Sequence, residues 1–169
     1  MKLGLTTVVS TALLLSACAQ QSAPPLSGEW SLDNTASHIA FVSVKSGKIA
    51  EAHSFKTLSG AVSDTGDVQI SIELASVETN IDIRNERMRE FLFETNTFPQ
   101  ADITAQLVPE TLQGLKVGES SVRTLEAVLN LHGEDNDIQI DVSITRVSAD
   151  KIQVVSRTPI IIRADDFLL

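Results

Sequence analysis

Residues 68–74 read VQISIEL and place an aliphatic side chain at every second position. Successive side chains of a β-strand point to opposite faces, so the four aliphatic residues share one face and the polar residues share the other. This alternation predicts an antiparallel strand with one buried face and one solvated face.

The same alternation recurs along most of the chain, with few residues between successive runs. The clusters SDTGD at 63–67 and GEDND at 133–137 have the composition of turns and predict hairpin loops. Strands therefore dominate the prediction. The further alternating residues are Ile39 and Phe41; Ile103, Ala105 and Leu107; Leu125, Ala127, Leu129 and Leu131; Ile138, Ile140, Val142 and Ile144; Ile152 and Val154; and Ile160 and Ile162.

One stretch, 84–93, breaks the period of two. Its apolar residues fall at helical spacing, which predicts a short helix. Arg84 and Arg87 could bind the anionic or carbonyl head group of a ligand. Alternatively, Glu86 and Glu90 pair with Arg89 and Arg87 at i,i+3 and make a solvated, self-neutralised helix face.

A strand-rich antiparallel chain with one short helix fits either a β-sandwich or a closed barrel. The sequence contains only seven aromatic residues and no tyrosine, so the predicted inner faces are almost entirely aliphatic. An eight-stranded barrel can be filled by its own side chains or hold one small ligand, and small residues such as Ala105 and Ala127 favour a ligand. Pattern alone leaves a filled core open.

Length and composition restrict the function classes. The chain has 169 residues and a formal charge of −9, which suits one acidic domain and disfavours nucleic acid as a partner. Its one cysteine cannot form an internal disulfide. No stretch reaches the roughly 20 apolar residues of a spanning helix.

The N-terminus has the pattern of an export signal. One lysine precedes a 13-residue apolar stretch, and Leu-Ser-Ala-Cys at 15–18 resembles the lipobox of bacterial lipoproteins. We therefore expect a signal peptide at 1–17, lipid attachment at Cys18, a tether over 18–27 and a folded domain over 28–169. Ala19 after the cysteine favours the periplasmic side of the outer membrane in a two-membrane cell. A soluble exported protein is the alternative.

Several motifs resemble the YceI-like proteins, a lipocalin-like family. They are WxLD at 30–33, SxIxF at 37–41, HxF at 53–55, SVET at 76–79 leading into IRNERM at 83–88, FP at 98–99, LHG at 131–133 and RxDDF at 163–167. The resemblance implies an all-β, eight-stranded antiparallel barrel whose apolar lumen binds a long isoprenoid chain, as in quinones or polyprenyl phosphates.

Motifs for catalysis are lacking. The three histidines show no metal-ligand spacing, and no Gly-x-Ser-x-Gly elbow or glycine-rich phosphate loop occurs, so we expect neither an enzyme nor a metal or other cofactor. The leading hypothesis is a lipid-anchored isoprenoid carrier; the alternative is a structural or stress-response lipoprotein with a packed barrel. The candidate lumen residues are Ile39, Phe41, Val68, Ile70, Ile72, Leu74, Ile103, Ala105, Leu107, Leu125, Ala127, Leu129, Ile140, Val142 and Ile144.

Overall fold

A computed structural model describes residues 28–45, 49–108, 112 and 114–169. Eight strands of five or more residues lie in these ranges, together with two strands of two residues, and all pair antiparallel. The predicted all-β barrel class is confirmed. Within the described ranges no helix is long and apolar enough to cross a bilayer. The strands are β1 (Trp30–Ser31), β2 (Ile39–Lys45), β3 (Ile49–Phe55), β4 (Leu58–Val62), β5 (Asp67–Glu73), β6 (Val77–Glu78), β7 (Gln100–Gln106), β8 (Ser120–Leu131), β9 (Glu134–Arg146) and β10 (Ile152–Ser156).

The strands form two sheets. Seven strands in the order β1-β4-β5-β7-β8-β9-β10 make a curled half-barrel, and β2-β3-β6 make a second, smaller sheet. The two sheets meet at the short connection between β3 and β4. There the Lys56 amide donates to the Ser76 carbonyl at 3.2 Å. The edge strands are β1 and β10 in the larger sheet and β2 and β6 in the smaller one.

The two predicted hairpins differ in outcome. The loop at 63–67 is confirmed, because β4 and β5 are joined there and the Ser63 amide donates to the Asp67 carbonyl at 2.9 Å. The loop predicted at 133–137 is wrong, because β9 already begins at Glu134. Only His132 and Gly133 turn the chain, at φ 56° and 83°, and two consecutive left-handed residues are enough for a tight hairpin.

The predicted helix is present but shorter. Helix α1 spans Asp82–Arg87, and Met88–Leu92 continues as a π-helical turn. Three strand predictions need correction. Leu107 lies just beyond β7, which ends at Gln106. Leu74 lies beyond β5 in a 3₁₀ turn, Leu74–Ser76. The run of isoleucines at 160–162 forms no strand and is exposed. Pro159 beside it lacks the N–H that a ladder requires.

The core consists of two clusters at opposite ends of the half-barrel. The first joins the start of β4 and β7 to the ends of β5 and β8, and it includes Phe55, Phe93 and the almost fully buried Phe167. The second lies at the other end, where Leu112 packs on Val142 and Ile144 of β9.

Candidate functional site

The concave face carries the residues that alternation assigned to a lumen. All fifteen are buried or half-buried, and those in strands lie on the side that faces the core clusters. The first cluster contains Ile39, Phe41, Ile72, Leu74, Ile103 and Leu129. The second contains Leu107, Leu125, Ile140, Val142 and Ile144.

Four of the fifteen, Val68, Ile70, Ala105 and Ala127, belong to neither cluster. Strand register explains why they lie together: Val68 pairs with Ala105, and Ala105 pairs with Ala127. The two alanines have the shortest side chains of the fifteen, and Ala127 is 5% exposed. We call this strip between the clusters the alanine gap. All four of its side chains are apolar, which suits an apolar ligand chain.

Two shallow depressions are seen among the described residues. One is lined by residues 104–106 on β7, 126–128 on β8 and Asp137, so it includes the two gap alanines together with polar side chains. The other borders β1 and the 63–67 hairpin. Both linings mix polar and apolar residues, whereas the concave face is almost entirely aliphatic.

The structure separates the two arginines proposed for a head group. Arg84 Nη1 donates to Glu51 Oε1 on β3 at 2.8 Å, and Nη2 donates to the Thr79 carbonyl at 2.7 Å. Arg87 is exposed on the outer side of α1. The alternative of a self-neutralised helix is not seen in the described residues, because no ion pair joins the helical glutamates to arginines and Arg89 instead donates to the Ala75 carbonyl.

Sequence reasoning missed a polar cluster in the wall of the smaller sheet. His53 is 4% exposed, and its Nε2 lies 2.9 Å from Ser43 Oγ across the β2–β3 pair. Burial lowers the pKa of the His53 ring, and the nearby Arg84 charge lowers it further, although Glu51 opposes this. The HxF motif at 53–55 was a family resemblance only; no local pattern showed that this histidine is buried beside an arginine 31 positions later in the sequence.

The other candidate features give no sign of metal chemistry. Among the described residues, no group of three or more His, Cys, Asp or Glu side chains is arranged to hold a metal ion. His38 is exposed before β2, and the His132 ring packs against Phe98 in a tilted geometry with ring centroids 4.1 Å apart. Cys18 and the segments predicted to be a signal peptide and a tether lie outside the described residues.

Comparison with known proteins agrees with this geometry. A polyisoprenoid-binding domain from Saccharophagus degradans, implicated in plant cell wall breakdown, is 42% identical, with 82% of this chain and 80% of that chain covered and a TM-score of 0.79. BcnA from Burkholderia cenocepacia is 15% identical over 80% of this chain and 82% of that chain, with a TM-score of 0.57, and shows the fold alone. No curated protein sequence matches.

The family model described as "YceI-like domain" matches residues 30–169, from the first described strand to the last residue. This range includes both sheets, the inserted helix, the alanine gap and the motifs that carried the resemblance. The chain therefore belongs to the YceI-like family.

Proposed function

We propose that this protein binds an isoprenoid-type lipid along its concave face, with the apolar chain in the alanine gap. The observation that carries the proposal is the gap itself, which is a strip of aliphatic wall between two packed clusters. The 42% identical domain from Saccharophagus degradans is described as polyisoprenoid-binding, which supports the same ligand class. A ligand of this kind has many apolar carbons and few polar atoms, which matches a wall of Val, Ile, Leu and Ala.

The proposed role is carriage or sequestration and not catalysis. A binding protein needs only burial of the ligand, whereas an enzyme needs a nucleophile, an acid–base pair or a metal placed at the reacting atom. The described residues on the concave face are almost all aliphatic, and this supports the simpler role.

The second part of the proposal concerns the localisation of the protein. We propose that the chain is exported, cleaved before Cys18 and held at a membrane by acyl chains on that cysteine, most simply at the periplasmic side of the outer membrane. The support is the lipobox-like sequence at 15–18. Multiple acyl chains provide stable attachment, whereas a single chain is marginal. The tether of about ten residues would then let the barrel stand up to ~30 Å from the bilayer.

The decisive experiment is lipid identification in the purified full-length protein. After mild detergent purification, solvent extraction and mass spectrometry should recover an isoprenoid at about one mole per mole of protein. The detergent-solubilised membrane fraction gives the background composition. An extract that reproduces the bulk phospholipids, with no enriched isoprenoid, would contradict the carrier and favour a structural lipoprotein with a packed barrel.

A further inference from the structure

A polar cluster lies on the inner side of the smaller sheet, next to the apolar wall. Ser43 on β2, Glu51 and His53 on β3, and Arg84 on α1 form it. His53 lies two residues before Phe55 on the same face of β3, and Phe55 belongs to the first core cluster. The cluster therefore borders the concave face on which the proposed chain would lie.

Two nitrogen atoms of this cluster have no partner. The Nδ1 atom of His53 and the Nε atom of Arg84 are both buried and make no hydrogen bond. A buried polar group without a partner is costly, and native proteins rarely retain one without a reason. When Ser43 Oγ donates to His53 Nε2, the ring proton lies on Nδ1, so both unpartnered atoms are donors.

The charges in the cluster are balanced. Glu51 already compensates the guanidinium of Arg84 at 2.8 Å. Burial first and the Arg84 charge second lower the pKa of His53, which favours the neutral ring. A phosphate placed here would bring negative charge with no free cation among these four residues to balance it. A neutral acceptor would meet two donors without that cost.

The neighbouring ring adds a shape requirement. Phe41 is half-buried, and its ring centroid lies 5.1 Å from that of His53 and 5.2 Å from that of Phe55. A planar head group can pack against such rings in offset or tilted geometry. The Arg84 and Glu51 side chains are 27% and 39% exposed, so the cluster lies at the margin of the wall and not in its centre.

We propose that Ser43, His53 and Arg84, beside Phe41, form a head-group subsite selective for a neutral, planar, carbonyl-bearing ring over a phosphate. The inference rests on the proposed isoprenoid binding and assigns its specificity. His53 Nδ1 and Arg84 Nε donate to the carbonyl oxygen, Ser43 fixes the histidine tautomer, and the Phe41 ring, which covers the histidine, turns to pack on the head group. Arg87 has no part in the subsite.

The test compares three probes that share one four-isoprene chain: a naphthoquinone, a monophosphate and a plain hydrocarbon. Each displaces the same fluorescent prenyl probe from the full-length protein in detergent. The wild type should bind the quinone at least tenfold more tightly than the phosphate. The variant His53→Phe should lose about threefold to tenfold in quinone affinity, as expected for one hydrogen bond, and keep its hydrocarbon affinity within twofold.

Matched controls separate specificity from folding. His38→Phe makes the same change at an exposed site, and Arg87→Gln removes the exposed arginine; neither should alter any affinity. Ser43→Ala removes one hydroxyl from an edge strand and should weaken binding of the quinone alone, by a smaller factor than His53→Phe. It replaces His53→Phe in the test if that variant unfolds. Equal affinity for all three probes, tighter phosphate binding, or an equal loss for hydrocarbon in His53→Phe would overturn the subsite alone. Failure of every probe to bind would overturn the proposed function as well.

Discussion

Two alanines on one strand test whether the concave face contains space. Ala101 and Ala105 lie on the same face of β7, but Ala101 is 3% exposed inside the first core cluster, whereas Ala105 is half-buried in the alanine gap. The same substitution to leucine adds three carbons at each site. At Ala101 those carbons must displace packed neighbours, whereas at Ala105 they enter the gap.

Ala101→Leu should lower stability, whereas Ala105→Leu should lower ligand affinity. Overpacking a tight core costs about 1–3 kcal/mol, so Ala101→Leu should lower the melting temperature by about 3–10 °C. Ala105→Leu should leave it unchanged or slightly higher. In the gap, however, the leucine occupies volume that an isoprene unit of five carbons would use. At roughly 0.8 kcal/mol per buried carbon, losing half the burial of one unit costs about 2 kcal/mol, or roughly 30-fold in affinity.

Thermal unfolding monitored by circular dichroism and displacement of a fluorescent prenyl probe measure the two quantities on the same preparations. The wild type provides the reference for both. If Ala105→Leu melts as far below the wild type as Ala101→Leu, the strip is packed and the gap does not exist. If Ala105→Leu keeps full affinity at unchanged stability, the chain of the ligand does not pass this point.

Three further predictions concern other parts of the molecule. Cys18→Ser should abolish incorporation of labelled fatty acid, and persistent labelling would place the acyl chains elsewhere. Arg146 is 2% exposed and donates to the carbonyls of Leu115, Ser148 and Ala149, so Arg146→Met should cost about 3 kcal/mol in urea unfolding, whereas Arg157→Met at an exposed site should cost less than about 0.5 kcal/mol. The pKa of Glu78 is lowered to about 2, first by the hydrogen bond from Lys56 and then by Asn85 and the Asn80 amide. Its contribution to stability is therefore present above pH 4.5 and is lost as the pH falls towards 2, so the difference in urea midpoint between wild type and Glu78→Gln should shrink over that range; a constant difference would contradict the ion pair.

Alternation predicted the strands well because it depends only on which face of each strand is buried. The aliphatic residues of β5 and the runs within β7, β8 and β9 therefore have the predicted faces. The tight turn at His132 and Gly133 was not predictable in the same way. The polar residues after it resemble a loop in composition, yet they belong to β9, where several of them face solvent.

Contacts between distant residues could not be predicted from local spacing. Local spacing predicted i,i+3 pairs of Glu86 with Arg89 and of Glu90 with Arg87, but in the fold Arg89 donates to the Ala75 carbonyl. The partner of Arg84 is Glu51, 33 residues earlier, because α1 lies against β3. His53 gave no local signal for the same reason: burial of a strand residue beside a helix depends on how the chain returns after β6.

The long hairpin of β8 and β9 has a consequence for the order of folding. Its strands are joined by a two-residue turn, so pairing can begin beside the turn and extend one residue at a time, with little loop-closure entropy opposing each step. Pairing of β7 with β8 joins residues 22–28 positions apart, and pairing of β5 with β7 joins residues 27–39 positions apart. We expect the hairpin to form early and to act as the template on which β7 and then β5 assemble. Strands β2 and β3 form a second local hairpin, which is joined to β6 through two described residue pairs. The part of the barrel proposed to select the head group is therefore also the part that the strand pairing holds least firmly.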